Sequence, residues 1–136
     1  MIQPSLNADV YTAIHPDNFT FKFVGKLVVV TGAARGIGQH ISIAFAKARA
    51  TLALLDFNIE RQAETKSLCE AEGVRVALFA CDVTKYDQCA AVMEDIKKLG
   101  EIDVLANNAG GGPVKGFTSQ KFEDFWAGVE QNFKEV

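Results

Sequence analysis

Residues 31–38 read Thr31-Gly32-Ala33-Ala34-Arg35-Gly36-Ile37-Gly38, and they join an apolar run to a segment with helical periodicity. Small residues at such a junction let the backbone turn sharply and approach a ligand closely. The helix that follows offers unpaired N–H groups and partial positive charge to an anion. A purely structural turn can also need glycine for its conformation, so the meaning of this segment depends on its surroundings.

Four apolar runs of strand length lie around and after this segment. Because they are nearly continuous rather than alternating, they predict strands covered on both faces, as in a parallel sheet. Helical patterns separate the runs, and the second of these patterns is weakly amphipathic, which is typical of an outer helix. This alternation predicts an α/β fold with a doubly wound parallel sheet. The predicted strands span residues 27–30, 52–55, 74–80 and 102–106, and the predicted helices span 37–48, 59–72 and 89–99.

Local signals predict how two further segments are built. Thr84-Lys85-Tyr86-Asp87 has the pattern of a capping box that opens the third helix, and Gly100 is a natural stop for that helix. Residues 19–23 alternate phenylalanine with other side chains, which predicts either a short strand or an extended strap over apolar surface. We therefore divide the chain into an N-terminal extension at residues 1–24 and a domain at residues 25–136.

Polar residues follow the predicted strands at the point where each strand ends. They are Thr31, Asp56, Asp82 and the pair Asn107-Asn108. In open α/β sheets the carboxyl ends of the strands form the ligand crevice. Several polar positions on one edge favour a binding site over simple loop punctuation. Together with the glycine turn, an acidic residue at the end of the second strand predicts dinucleotide binding.

Asp56 and Arg35 favour different dinucleotides. A carboxylate at position 56 can accept hydrogen bonds from both ribose hydroxyls. It would repel a 2′-phosphate by about 4 kcal/mol per unit charge pair, at about 4 Å and an effective dielectric of about 20. Arg35 argues the other way, because a basic side chain in the glycine turn can neutralise that phosphate. Since the repulsion at the ribose is harder to avoid, we predict a preference for NAD, with NADP as the alternative.

The sequence from about Lys26 to Val136 resembles the N-terminal, cofactor-binding half of the short-chain dehydrogenase/reductase family, and its long N-terminal extension resembles that of fungal members. The family pattern T-G-x-x-x-G-x-G is matched from Thr31 to Gly38, and Asp56 matches the acidic residue of NAD-preferring members. Asp82-Val83 resembles the adenine-contacting pair. Asn107-Asn108-Ala109-Gly110 matches the N-N-A-G motif, which ties down the fourth strand and lines the cofactor cleft.

This resemblance implies a Rossmann-like sheet, truncated here to about four strands in the order 3-2-1-4 with flanking helices. It also implies an oxidoreductase that transfers hydride between NAD(H) and a small alcohol or ketone substrate. The cofactor-binding residues that it implies are Thr31, Gly32, Arg35, Gly36, Ile37, Gly38, Asp56, Asp82, Val83, Asn108, Ala109 and Gly110.

Asn132 lies at helical spacing from a set of large apolar residues, so we expect its amide to share a packed apolar stripe with them. By the resemblance, it matches the helix asparagine of the catalytic tetrad, which holds a local helix distortion and a water that serves the catalytic lysine. An amide bonded to neighbouring backbone is a structural alternative compatible with that role, because a buried unpaired amide costs about 1–3 kcal/mol. The apolar residues are Phe122, Phe125, Trp126, Val129, Phe133 and Val136.

Two features depart from the family pattern. The chain contains no Tyr-x-x-x-Lys, since Tyr11 is followed four residues later by His15 and Tyr86 by Ala90. We therefore expect a fragment without the catalytic Ser, Tyr and Lys, inactive by itself; the alternatives are a non-catalytic NAD(P)-binding module and an interaction protein. Arg49 stands where relatives usually place glycine to end the first helix. Either it adopts a left-handed conformation, which costs a non-glycine residue about 1–2 kcal/mol, or the helix ends in another way.

The composition of the chain restricts its partners, its location and its metal binding. With 49% hydrophobic and 23% charged residues and a net charge of −3, the chain has the composition of a globular protein. It has no Lys/Arg cluster and no apolar run of membrane-spanning length, which argues against nucleic-acid and membrane partners. Three cysteines without a C-x-x-C motif suggest reduced thiols and a cytoplasmic location, and we expect no metal site. An exposed fourth strand and a bared last helix predict a homo-oligomer or an aggregation-prone fragment.

Overall fold

The protein is described by a computed structural model that covers residues 16–111 and 117–133, so residues 1–15 of the predicted extension lie outside it. Its centre is a parallel sheet in the order β3-β2-β1-β4, which confirms the predicted topology. The strands are β1 (Leu27–Thr31), β2 (Thr51–Asp56), β3 (Val76–Ala80) and β4 (Ile102–Ala106). The helices are α1 (Gly36–Lys47), α2 (Ala63–Glu70), α3 (Tyr86–Lys97) and α4 (Phe122–Phe133), and short 3₁₀ turns lie at Pro16–Phe19, Glu60–Gln62 and Phe117–Ser119.

The sheet is buried on both faces because alternate side chains of its central strands enter two separate apolar clusters. One cluster contains Val28 and Leu54 together with Ala46 of α1, and the other contains Val29 and Ile96 of α3. Full burial of a Val, Leu or Ile side chain contributes about 1.5–3 kcal/mol. The nearly continuous apolar runs thus predicted burial on both faces correctly for β1 and β2, whereas β3 and β4 at the two edges of the described sheet are only partly buried.

β3 and the segment after β2 differ in their boundaries from the prediction. β3 begins at Val76 rather than at residue 74, because pairing with β2 starts there, next to a bond from the Leu52 N–H to the Arg75 carbonyl at 2.9 Å. The predicted second helix is divided into the 3₁₀ turn Glu60–Gln62 and the shorter helix α2.

The predicted capping box at Thr84 is wrong. α3 begins at Tyr86, and its N-cap residue Lys85 makes no side-chain capping bond. The Asp82 carboxylate accepts the Thr84 N–H at 3.0 Å, and the Lys85 N–H donates to the Asp82 carbonyl at 2.9 Å. An aspartate turn before the helix therefore replaces the expected threonine cap.

Residues 19–23 form turns, so neither the predicted strand nor the extended strap is correct. Phe21 has a φ of 63°, which belongs to a turn and not to a strand. The Phe23 N–H donates to the Ala48 carbonyl at 3.0 Å, and the Phe23 ring meets Phe45 edge-on with centroids 5.0 Å apart. This segment therefore covers apolar surface near the end of α1.

Arg49, just beyond α1, has a φ of 71°, so the left-handed alternative is correct. Its guanidinium donates to the Glu72 carbonyl and lies 5.4 Å from the centroid of the Phe21 ring. These two contacts offset part of the cost of about 1–2 kcal/mol that a non-glycine residue meets in this conformation.

Asp103 interrupts β4 for a structural reason. The register between β1 and β4 shifts between Leu27 and Val28, which leaves Asp103 without a partner residue on β1. Its carboxylate instead accepts hydrogen bonds from Lys26 Nζ at 2.6 Å and from the Leu27 N–H at 2.9 Å. Lys26 and then the Leu27 N–H hold the pKa of Asp103 below its usual value, and Asp103 raises the pKa of Lys26.

α4 presents an outward apolar face. Phe122, Trp126 and Phe133 are 70%, 49% and 80% exposed, and Asn132 is exposed as well. The prediction of a core position for Asn132 is therefore wrong, whereas the predicted baring of the last helix agrees with these exposures.

Candidate functional site

Thr31 and Asn108 join the glycine turn to the end of β4. Thr31 Oγ1 accepts the N–H groups of Asn108 and Ala109, each at 2.9 Å, and donates to the Ala106 carbonyl at 3.4 Å. Asn108 Nδ2 donates to the carbonyls of Thr31 at 2.9 Å and Gly32 at 3.3 Å. These bonds connect positions 75 to 78 residues apart, so this part of the site exists only in the assembled sheet.

The glycine turn needs its glycines for two different reasons. Gly32 and Gly36 have φ values of 64° and 58°, in the left-handed region that favours glycine. At Gly38 the reason is space, because a Cβ there would lie 2.6 Å from Asn108 Nδ2 and 2.9 Å from the Gly32 carbonyl carbon. The N-cap of α1, Arg35, makes no side-chain capping bond. The first N–H groups of α1 therefore face this turn without a side-chain cap, as an anion-binding helix N-terminus requires.

Asp56 lies at the end of β2 beside the same turn. Its Oδ2 accepts the Ala34 N–H at 3.2 Å, whereas its Oδ1 is buried without a hydrogen-bond partner among the described residues. Thr65 of α2 supports Ala34 by donating to its carbonyl at 3.3 Å. A buried carboxylate oxygen without a donor costs free energy, so Oδ1 is suited to accept a hydrogen bond from a ligand hydroxyl.

Asp82 and Val83 form the next wall, between β3 and α3. The Asp82 N–H donates to Gln88 Oε1 at 3.0 Å, which fixes the loop against the first turn of α3. Hydrogen bonds from the Thr84 hydroxyl and N–H hold the pKa of Asp82 below its usual value. Asp82 is therefore ionised at neutral pH in an ordered loop.

These elements line one open cleft of about 420 Å³ at the carboxyl edge of the sheet, which we call the edge cleft. Thr31 is 8% exposed and lies outside this lining, because its hydroxyl is committed to the end of β4. Asn132 is also outside it. The predicted site residues that the edge cleft brings together are Gly32, Arg35, Gly36, Ile37, Gly38, Asp56, Asp82, Val83, Asn108, Ala109 and Gly110.

The edge cleft also contains residues that the sequence pattern did not reveal. The guanidinium of Arg61 lies 5.0 Å from the centroid of the Phe57 ring, and both side chains line the cleft near Asp56. Two arginines, Arg35 and Arg61, therefore line the cleft that also contains the carboxylates of Asp56 and Asp82. The one hint of a role for Arg61 is that it follows β2 closely in the chain. That hint is weak, because charged residues are common on exposed turns. The other unpredicted lining residues are Cys81 and Thr84.

Asn132 bonds to the backbone around it. Its Nδ2 donates to the carbonyls of Gly111 and Gly128, each at 2.6 Å, and its Oδ1 accepts the Gly111 N–H at 3.2 Å. A Cβ at Gly110 would lie 2.5 Å from Asn132 Oδ1, so α4 closely approaches the end of the N-N-A-G segment. These bonds match the structural alternative, and the catalytic role of Asn132 stays a prediction.

Within residues 16–111 and 117–133, there is no group of three or more His, Cys, Asp and Glu side chains suited to hold a metal ion. No helix in these ranges combines the length and apolar character needed to traverse a bilayer.

Comparison with known proteins identifies the family. The family model described as short chain dehydrogenase matches residues 26–136. The 7α-hydroxysteroid dehydrogenase of Escherichia coli (strain K12) is 36% identical over 109 residues, which are 79% of this chain and 42% of that protein. The chain therefore belongs to the short-chain dehydrogenase family, whose named relatives include dehydrogenases, and it spans about two fifths of that curated relative. The fungal-like subtype that the N-terminal extension suggested is not supported by these relatives.

Solved structures share the fold. A short-chain type dehydrogenase/reductase from Mycobacterium marinum matches with a TM-score of 0.79 and 28% identity, over 88% of this chain and 48% of that one. A metagenomic short-chain oxidoreductase in complex with NADP matches with a TM-score of 0.74 and 30% identity, over 83% of this chain and 52% of that one. NAD⁺-bound xylitol dehydrogenase matches with a TM-score of 0.75 and 29% identity, over 84% of this chain and 45% of that one. Dinucleotides of both types are thus bound by proteins of this fold.

Proposed function

We propose that this chain is the cofactor-binding part of an oxidoreductase that transfers hydride between NAD(H) and a small alcohol or ketone. The observation that carries the proposal is the edge cleft, where the glycine turn, the buried Asp56 Oδ1 and the Asp82 and Asn108 loops meet. The bound NADP and NAD⁺ of the two similar structures support it. When bound, the nicotinamide would supply the hydride acceptor or donor.

The lining suggests a role for each part of the cleft. Residues 32–38 would hold the pyrophosphate through backbone N–H groups, and Asp56 would accept the adenosine ribose hydroxyls. Asp82 and Val83 would flank the adenine, while Asn108, Ala109 and Gly110 would border the nicotinamide side. Thr31 would position the turn without touching the cofactor. We assign these roles to a domain at residues 25–136 that follows an extension at residues 1–24.

We infer that NAD(H) is preferred over NADP(H), because Asp56 supplies the carboxylate nearest the predicted ribose position. Arg35 and Arg61 favour the phosphorylated dinucleotide, so the preference depends on Asp56. Fluorescence titration of the pure chain with NADH and with NADPH tests both statements. We expect NADH to bind more tightly, and Asp56→Asn to weaken NADH binding by about tenfold through loss of a charged acceptor.

Asp95→Asn is a matched control, because Asp95 is an exposed carboxylate of α3 that pairs with Lys98 and does not line the edge cleft. It should leave both affinities unchanged. Failure of the wild-type chain to bind either dinucleotide would overturn the proposed function. Tighter binding of NADPH than of NADH would overturn only the cofactor preference.

The second candidate function is a non-catalytic NAD(P)-binding module or an interaction protein. The observation that favours it is that these 136 residues contain no Tyr-x-x-x-Lys, the family's proton-transfer pair. We accordingly expect no alcohol-dependent formation of NADH by the pure chain. Measured turnover would contradict this expectation. A reading frame that continues into a Ser and a Tyr-x-x-x-Lys would favour the oxidoreductase over the module.

We also infer roles beyond the cleft. Asn132, which is bonded to Gly111 and Gly128, would serve the catalytic centre of a complete enzyme as the helix asparagine of its tetrad. The outward apolar face of α4 supports self-association into a homo-oligomer. The free thiols of Cys69, Cys81 and Cys89 support a cytoplasmic location.

A further inference from the structure

Two thiols lie in contact where β3 leads into α3. The Sγ atoms of Cys81 and Cys89 are 3.8 Å apart. Cys81 directly follows β3 and is 3% exposed, whereas Cys89 is half-buried in the first turn of α3. The third cysteine, Cys69, belongs to the apolar cluster on the other face of the sheet. The pair is therefore a local arrangement of two sulfurs and not one isolated buried thiol.

The same segment forms a wall of the edge cleft. Cys81 lines that cleft next to Asp82 and Val83, and both cysteines line a second cavity of about 260 Å³. Cys89 Sγ is 3.5 Å from the Val83 carbonyl oxygen, and the Asp82 N–H is bonded to Gln88, the residue before Cys89. Any movement that changes the distance between the sulfurs therefore also acts on Asp82 and Val83.

We propose that Cys81 and Cys89 form a reversible disulfide, and that this bond weakens dinucleotide binding in the edge cleft. The second half of the proposal rests on the proposed function. A disulfide requires a sulfur separation of about 2.05 Å, so the two atoms approach by roughly 1.8 Å from their present 3.8 Å. Because Cys81 is buried beside the loop at Asp82 and Cys89 lies in the first turn of α3, we infer that this loop and this turn shift during the approach. That shift strains the bond between the Asp82 N–H and Gln88.

The reaction is a thiol–disulfide exchange with a small disulfide such as oxidised glutathione. Cys89 is the more accessible sulfur, and as a thiolate it attacks one sulfur of the oxidant, whose S–S bond breaks and releases one thiolate. The Cys81 thiolate then attacks Cys89 Sγ and displaces the second small thiolate. Two electrons pass from the protein sulfurs to the oxidant. The two protons lost by the cysteines end on the two released thiols.

Burial raises the pKa of Cys81 to about 12, with further contributions from Cys89 and Asp82. The Cys81 thiolate is therefore scarce at neutral pH, and the second exchange step is slow. Below that pKa the thiolate fraction rises tenfold per pH unit, so the rate of ring closure should rise steeply between neutral and mildly alkaline pH.

The first experiment measures the bond itself. The reduced chain is incubated with oxidised glutathione, denatured, and alkylated before mass spectrometry. Before alkylation, the oxidised chain should be lighter than the reduced chain by two hydrogen atoms. After alkylation, only Cys69 should carry the label, and the peptides that contain Cys81 and Cys89 should be linked. Cys69→Ala should retain the link and Cys89→Ala should lose it. Three free thiols after oxidation, or a link through Cys69 or between two chains, would overturn the proposal.

The second experiment measures the coupling. NADH titration of the oxidised chain should give an affinity about five- to tenfold weaker than that of the reduced chain, as expected for loss of one ordered hydrogen bond. Reduction with dithiothreitol should restore it. Cys89→Ala, checked for folding by circular dichroism, should bind like the reduced wild type with and without oxidant. Equal affinities before and after a verified disulfide would overturn the coupling. Failure of the reduced chain to bind NADH would instead contradict the proposed function and leave the disulfide measurement intact.

Discussion

Gly38 shows how one hydrogen atom in place of a methyl group determines the shape of the edge cleft. Its missing Cβ is the space in which the Gly32 carbonyl and the Asn108 side chain meet. The sequence predicts a functional glycine here, because G-x-G spacing before a helix is a dinucleotide-binding pattern. It cannot show that one of the two close neighbours, Asn108, comes from the end of β4, about 70 residues later, because that contact depends on the sheet order.

Gly38→Ala should therefore damage both stability and binding. The added methyl group must displace Asn108 Nδ2 or the Gly32 carbonyl, and overpacking of this kind typically costs about 1–3 kcal/mol. We expect a lower urea midpoint and NADH binding weakened by more than about tenfold. Gly111→Ala is the matched control, since a Cβ there meets nothing within 4 Å and Gly111 has no positive φ. Equal loss in both variants would contradict the steric explanation.

Arg49 allows the cost of a left-handed residue to be separated from the value of its contacts. Arg49→Ala and Arg49→Gly both remove the guanidinium contacts with Phe21 and Glu72, but only glycine relieves the strain at a φ of 71°. We expect the glycine variant to be more stable than the alanine variant by about 1 kcal/mol in urea denaturation. An alanine variant as stable as the glycine variant would show that the position carries no strain.

At the scale of elements, the strands were the most predictable part of the fold. The apolar runs at β1, β2 and β4 agree with the structure to within one residue at each end, although only β1 and β2 are buried on both faces. Positions that depend on side chain–backbone bonds were less predictable. Thr84 has the residue type of a helix cap, but Asp82 holds its N–H, and nothing in the local pattern ranks one polar residue above the other.

The link between β1 and β4 should make stability depend on pH. The pKa of Asp103 is lowered in the folded state, first by Lys26 and then by the Leu27 N–H. Its contribution is therefore fully present above its unfolded pKa, near the ordinary value of 3.8, and is lost as pH falls through the lower folded value. The pKa of Lys26 is raised, so its contribution is present below its ordinary value of 10.5 and is lost as pH rises through the higher folded value.

Asp103→Asn should accordingly be less stable than the wild type in urea denaturation at about pH 7, and the difference should shrink towards about pH 2. Asp95→Asn is the control, since Asp95 pairs only with exposed Lys98 one turn away on α3, and such a pair contributes little. A difference for Asp103→Asn that stays constant from neutral to strongly acidic pH would contradict the role of its carboxylate charge.

At the scale of the whole molecule, apolar side chains are distributed unevenly. The central strands are fully buried, whereas β4 is the last strand of the described sheet and Leu105 on it is 48% exposed. The outward face of α4 adds Phe122, Trp126 and Phe133 to the exposed apolar surface. Exposed strand edges and apolar patches of this kind favour association between chains.

Sedimentation velocity at tens of micromolar should therefore show species larger than the monomer. Leu105→Glu should shift the distribution towards the monomer, because it places a charge on the strand at the edge. Leu68→Glu is the matched control, since Leu68 is 43% exposed on α2, away from β4 and α4. A wild-type chain that is monomeric throughout, or two variants that behave alike, would contradict association through β4.

The bonds from Asn108 and Ala109 to Thr31 also determine when, during synthesis of the chain, the site can form. A nascent polypeptide that has emerged from the ribosome only as far as α3 already possesses every glycine of residues 32–38, yet it has no partner for the Thr31 hydroxyl or the Gly32 carbonyl. Competence for the dinucleotide should therefore arise only after the segment that follows β4 has left the exit tunnel and docked. Intermediates stalled before that point would be left without this nucleotide as a folding aid.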